Sequence, residues 1–156
     1  MTPAVDTAKR ANIAYTLHEY AHDPVSTAYG MEAVEKLGLN PAEVFKTLVA
    51  QLQSGELVVA VVPVSSMLNL KALAKVAGAK KAAMADAAAV SRSSGYVLGG
   101  VSPLGQKRAL RTFIDQSAQA LSIMYVSAGR RGLEIALSPQ DLQRLTRAHF
   151  AALAQD

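Results

Sequence analysis

Apolar positions along this chain recur with two spacings, every second residue in short runs and every third or fourth in longer ones, and turn-forming residues stand at nearly every change between them. Thr2-Pro3 predicts a helix start, with the hydroxyl as cap and the proline in the first helical position, and the helix runs to about Asn12. Ile13 to Tyr20 reads as a strand, with Tyr15 and Leu17 on one side and Thr16, His18 and Tyr20 on the other, broken by Ala21-His22-Asp23-Pro24. A helix from about Ala28 to Leu37 stops at Gly38. Asn40-Pro41-Ala42-Glu43 then makes a capped turn that delivers the chain into a strand beginning Phe45-Lys46-Thr47-Leu48-Val49.

Gln53 to Glu56 turns this strand back into Leu57 to Val64, an almost continuous apolar run of central-strand character. Asn69 caps a helix that Gly78 ends, Lys80 to Met84 gives a short strand, and Asp86 caps a helix to about Ser91. Thr112 to Asp115, Ile123 to Ser127 and Leu133 to Leu137 read as strands, the last two joined through Gly129-Arg130-Arg131-Gly132. Ser138-Pro139 opens a final helix that Leu142, Leu145, His149, Phe150 and Leu153 carry onward at packing intervals. Short strands interleaved with helices and hairpins predict an α/β (α+β) fold, a single domain over 1–156 with a mixed, strongly curved sheet.

Lys46 changes the picture from architecture to chemistry. Alternation puts its ammonium on the face of Leu48, Ala50 and Leu52, where a charge is costly unless it serves a purpose. Cysteine is absent, which excludes thiolate zinc sites, a cysteine nucleophile and disulfides. His18, His22 and His149 have no metal-ligand spacing, no serine sits in a nucleophile elbow, and Gly99 to Gly105 matches neither phosphate-binding glycine fingerprint. No metal or cofactor is expected. The start of the chain lacks a basic segment followed by an apolar core, and no run approaches a membrane span, so a soluble, cytoplasmic, unprocessed protein is expected.

The net charge of +4 is unevenly spread. Between Asn69 and Arg111 stand Lys71, Lys75, Lys80, Lys81, Arg92, Lys107, Arg108 and Arg111, opposed only by Asp86. With Arg130 and Arg131 in the later turn, such a concentrated field suits a polyanion, through phosphate contact rather than base stacking because aromatics are not clustered there.

The residues Tyr20, His22-Asp23-Pro24, Leu37-Gly38-Leu39, Phe45-Lys46-Thr47-Leu48, Gly78-Ala79-Lys80-Lys81, Gly95-Tyr96, Gly99-Gly100-Val101-Ser102-Pro103-Leu104-Gly105-Gln106-Lys107 and Ser127-Ala128-Gly129-Arg130-Arg131-Gly132-Leu133, in this order, resemble the YbaK-type Cys-tRNA(Pro)/Cys-tRNA(Cys) deacylases. Their wider superfamily includes the editing domain of prolyl-tRNA synthetase. The resemblance implies a curved mixed sheet approaching a barrel, with helices around it. It implies hydrolysis of cysteine from tRNA(Pro) with no enzyme nucleophile, the substrate thiol attacking its own ester. By the same likeness Lys46 is the catalytic lysine, and Tyr20, Tyr29 and the loop Gly99, Gly100, Val101, Ser102 with Pro103 form the substrate pocket. Tyr29 stands where many relatives have phenylalanine, and Glu134 where they have aspartate, a carboxylate that would pair with Lys46 or a substrate amine. The implied partners are the acceptor end of a mischarged tRNA, bound by Lys71, Lys75, Lys80, Lys81, Lys107, Arg108, Arg130 and Arg131, and prolyl-tRNA synthetase in a transient complex. Two alternatives stay open: a deacylase for another substrate such as Ala-tRNA(Pro), and a non-catalytic module that binds the acceptor stem.

Overall fold

Helix boundaries follow the caps. In the computed structural model, which describes residues 1–156, the helices are α1 (Pro3–Arg10), α2 (Tyr29–Leu37), α3 (Leu70–Val76), α4 (Ala87–Ser94) and α5 (Pro139–Thr146). Thr2, Asn69, Asp86 and Ser138 each accept an amide of the first turn, at Val5, Ala72, Ala89 and Asp141. Gly38 ends α2 in the left-handed conformation. None of the helices is long and apolar enough to cross a membrane.

The strands are β1 (Tyr15–Glu19), β2 (Phe45–Leu52), β3 (Leu57–Pro63), β4 (Met67–Leu68), β5 (Ala82–Met84), β6 (Arg111–Asp115), β7 (Met124–Arg130), β8 (Leu133–Leu137), β9 (His149–Ala151) and β10 (Ala154–Gln155). They form a mixed sheet in the order β5-β2-β3-β6-β9, an antiparallel sheet β1-β8-β7 and a small pair β10-β4. The expected β2–β3 hairpin is present, with Lys46 opposite Val62. A parallel bridge between Val44 and Tyr125 ties the two larger sheets together. The mixed α/β class is as expected; the strands wrap a core without closing into a ring.

The apolar run of β3 owes its continuity to burial on both faces. Val59 and Val61 enter a cluster between the two larger sheets, with Phe45, Val49, Ile114, Val126, Ile135 and Leu137. Val58, Ala60 and Val62 face a second cluster with Leu73, Phe113 and Leu153. Each such valine contributes about 1.5–3 kcal/mol by leaving water.

The expected final helix is corrected. It ends at Thr146, Arg147 adopts a left-handed conformation with φ 56°, and the chain returns as β9, parallel to β6, and then as β10 against β4. Leu153 therefore fills the second cluster from an extended tail rather than from a helix face.

Candidate active site

β3 covers one edge of β2 along its length, but on the other edge β5 meets only Ala50–Leu52. The main chain alternates between these edges. Val44 O accepts from Val64 N on the β3 side, and Val49 O accepts from Ala85 N on the other. Thr47 therefore turns its N–H and C=O away from β3. Neither β5 nor the bridge at Val44 reaches it, so the sheet has a gap at Thr47. A pocket of about 390 Å³ lies along this gap, with Lys46, Thr47, Tyr20, Tyr29, Gly99, Val101, Ser127 and Glu134 in its wall. Thr47 Oγ1 is buried there without a hydrogen-bond partner. A buried polar atom of this kind costs about 1–3 kcal/mol unless a group entering the pocket satisfies it.

Lys46 engages in no ion pair. Burial alone lowers its pKa from that of a free lysine, because desolvation disfavours the ammonium. Glu134 comes from the middle strand of the smaller sheet, with His18 and Ser127 as its register partners. It is 7% exposed, and burial pushes its pKa up to about 8. The pairing of Glu134 with Lys46 that the resemblance allowed is not made, so the pocket holds an unpaired amine and an unpaired acid. Burial first, then the charges of Glu134 and Glu32, push the Tyr20 hydroxyl up to about 12.

The glycine loop contributes unequally. Gly99 has φ +85°, and a Cβ there would lie 2.7 Å from the Tyr29 ring, so the ring rests on bare backbone. A Cβ on Gly100 would sit 2.9 Å from Arg130 Cα, which docks the loop on the β7–β8 turn. Val101 lines the pocket, whereas Gly100, Ser102 and Pro103 stand behind its wall. Ser102 is fully buried, and its Oγ accepts from Leu104 N at 3.2 Å. Tyr96 braces the loop from beneath by donating to Leu104 O at 2.6 Å.

Of the expected phosphate ligands, Arg131 lies at the mouth: its Nε donates to Leu98 O at 2.8 Å and its guanidinium lies 5.0 Å from the Tyr29 ring centroid. Arg130 pairs with Glu19. Lys71 and Lys75 are exposed on α3, and Lys80 and Lys81 are exposed just before β5, whose Met84 reaches the pocket. Lys107 and Arg108 are exposed after the glycine loop, where their amides donate to Ser94 O and Ser93 O at the end of α4.

Sequence reasoning missed Thr47 and Ser127 as wall residues, and Glu32 altogether. Thr47 follows Lys46 directly, but the gap that gives it meaning depends on where β5 stops. Glu32 is a buried carboxylate on α2 that meets His22 Nδ1 at 2.6 Å and accepts from Asp23 N at 2.8 Å and Lys36 Nζ at 3.2 Å. Its pKa is lowered to about 2, chiefly by the His22 bond. Only the Glu32–Lys36 spacing is visible locally, and that spacing is common on helix surfaces.

Chains of known structure share this arrangement of strands and helices. One described only as a hypothetical protein superposes with a TM-score of 0.88 at 25% identity, over 98% of this chain and 99% of its own. Another, titled "a putative trans-editing enzyme for prolyl tRNA synthetase", gives a TM-score of 0.84 at 21% identity, over 100% of this chain and 99% of its own, a likeness of fold. In sequence the chain is 36% identical, over 97% of its length and 92% of the relative's, to an Enterococcus faecalis protein named "Putative Cys-tRNA(Pro)/Cys-tRNA(Cys) deacylase EbsC". The family model described as the aminoacyl-tRNA editing domain matches residues 22–145, a span that takes in Lys46, the gap at Thr47, the glycine loop and Glu134, and the chain belongs to that family.

Proposed function

We propose that this protein deacylates Cys-tRNA(Pro), releasing a cysteine misplaced on the proline tRNA. The observation that carries the reading is a lysine with no counter-ion that shares, with an orphaned threonine hydroxyl, a pocket of about 390 Å³, room for an amino acid together with the ribose that carries it. The pocket wall holds no cysteine, and its Ser127 has no histidine–acid relay, which favours a nucleophile supplied by the substrate or by water.

With a cysteinyl ester, the thiol sulfur attacks the ester carbonyl, the bond to the ribose oxygen breaks, the thiol proton passes to that oxygen, and a cyclic thiolactone leaves. Lys46 stabilises the negative charge that develops on the oxygens, and the Thr47 and loop amides orient the carbonyl. Glu134, neutral near pH 7 in the free pocket, is drawn toward ionisation when the substrate's α-ammonium enters beside it. Exposed cations from α3 to β5 and Arg131 at the mouth guide the acceptor end, and prolyl-tRNA synthetase supplies tRNA selectivity in a transient complex. The relative's printed name supports the cysteinyl substrate.

The test is release of labelled cysteine from Cys-tRNA(Pro), beside Lys46→Ala and beside Ala-tRNA(Pro). Lys46→Ala is expected to lower turnover by about 100- to 1,000-fold with an unchanged melting curve, the scale of losing one transition-state donor. Release of alanine moves the chain to a thiol-independent deacylase, and release of neither amino acid leaves a binding module.

A further inference from the structure

Tyr29 is the first residue of α2, and its ring forms one side of the pocket. Three contacts hold it: Gly99 beneath, Arg131 at 5.0 Å, and the His22 ring at 5.8 Å with a tilt of 41°. His22 lies in the stretch that leaves β1 just after Tyr20, the second pocket tyrosine. Nothing in the strand ladders ties this stretch to α2. Glu32 is the centre of the joint that does so, one helical turn from Tyr29: one carboxylate oxygen meets His22 Nδ1, and the other accepts from Asp23 N and Lys36 Nζ. Lys36 also donates to Ala21 O, so both ends of the joint are closed. A carboxylate 6% exposed and bound by three donors from two segments is fixed in place by those bonds, and it is absent from the pocket wall itself.

We propose that Glu32 is a positioning residue that sets the width of the pocket by locking His22 against Tyr29 and Tyr29 against Gly99. The proposal rests on the deacylase reading for its kinetic consequence, but its geometric content does not. Glu32→Gln keeps the side-chain shape while placing an amide where three donors converge. His22→Phe keeps a ring against Tyr29 and removes the bond to Glu32, and it decides the matter if Glu32→Gln fails to fold.

The experiment labels the protein with 3-fluorotyrosine, assigns each fluorine resonance by Tyr→Phe replacement, and compares wild type with both variants. The expected result is a shift or broadening of Tyr29 in both variants, while Tyr96, braced on Leu104, stays unmoved. In parallel, kcat/KM for the cysteinyl ester falls on the order of tenfold to a hundredfold, the scale for displacing a positioning group. That fall lies mainly in KM, and the preference over bulkier aminoacyl esters narrows. A folded variant with an unmoved Tyr29 resonance overturns the proposal, as does an equal loss for small and bulky esters carried by kcat. If the wild type deacylates nothing, the proposed function fails, and the Tyr29 resonance still decides whether Glu32 sets the wall.

Discussion

At the scale of single residues, Glu134 and Glu32 are buried acids with opposite behaviour, because one lacks donors and the other is surrounded by them. For Glu134 the folded pKa of about 8 lies above the free value of 4.5. The folded state therefore keeps a proton that the unfolded chain has lost, and stability falls as pH rises from 4.5 to about 8. Glu134→Gln is expected to stabilise the protein above that range by about 5 kcal/mol at most and to change little near pH 4. Urea midpoints at both pH values check this, and equal effects at both would contradict burial as the cause. Glu32 has the reverse sign: its stabilisation is complete above 4.5 and is lost as pH falls toward about 2. Glu32→Gln should accordingly flatten the acid limb of the stability profile. The legibility of the site divides in the same way. Lys46 stands out by strand parity, an argument internal to one segment, whereas Glu32 matters through His22, on the far side of a loop.

Among the elements, one side chain clips the turn between the chain's last two strands. Asp115, buried at the end of β6, accepts from Ser117 N and from both Leu153 N and Ala154 N, with its second oxygen and its first respectively. These bonds outweigh its burial and lower its pKa from the usual carboxylate value. Asp115→Ala leaves those amides without a partner and is expected to cost about 3 kcal/mol. Hydrogen exchange at Leu153 and Ala154 should accelerate before the rest of the sheet responds, and uniform exchange across the sheet would count against a local clip. The caps of α1, α3, α4 and α5 were legible because each is one residue bonding three positions on. The final strands were not, since runs of two or three residues carry no period, and Leu142 to Leu153 happened to fit helical spacing. Position in the sheet overrode that pattern, as β6 offered an open edge and Asp115 fixed the tail beyond it.

For the whole molecule, the mixed α/β class followed from the order of strands and helices, while the gap in the larger sheet did not, because it depends on which partners β2 lacks. Charge was legible as a band but not as a surface: Arg111 is spent on Glu56, with bonds of 2.8 and 2.9 Å, and Arg130 on Glu19. Lys80 and Lys81 remain exposed just before β5, whose Met84 reaches the pocket. Replacing both with alanine is expected to weaken tRNA binding and to reduce the slope of log affinity against log salt by about 0.7–0.9 for each phosphate that the pair neutralises. An unchanged slope removes them from the footprint. The order of strands also sets a timetable. Tyr20 follows β1, Lys46 opens β2, and Glu134 waits in β8, the strand on which β1 must pair. A nascent chain released only through β6 has Lys46, Tyr29 and Gly99 outside the ribosome, but β1 has no neighbour and the pocket has no floor. Pairing across such sequence distance is slow to form. The pocket is therefore incomplete until β8, paired with β7, closes onto β1.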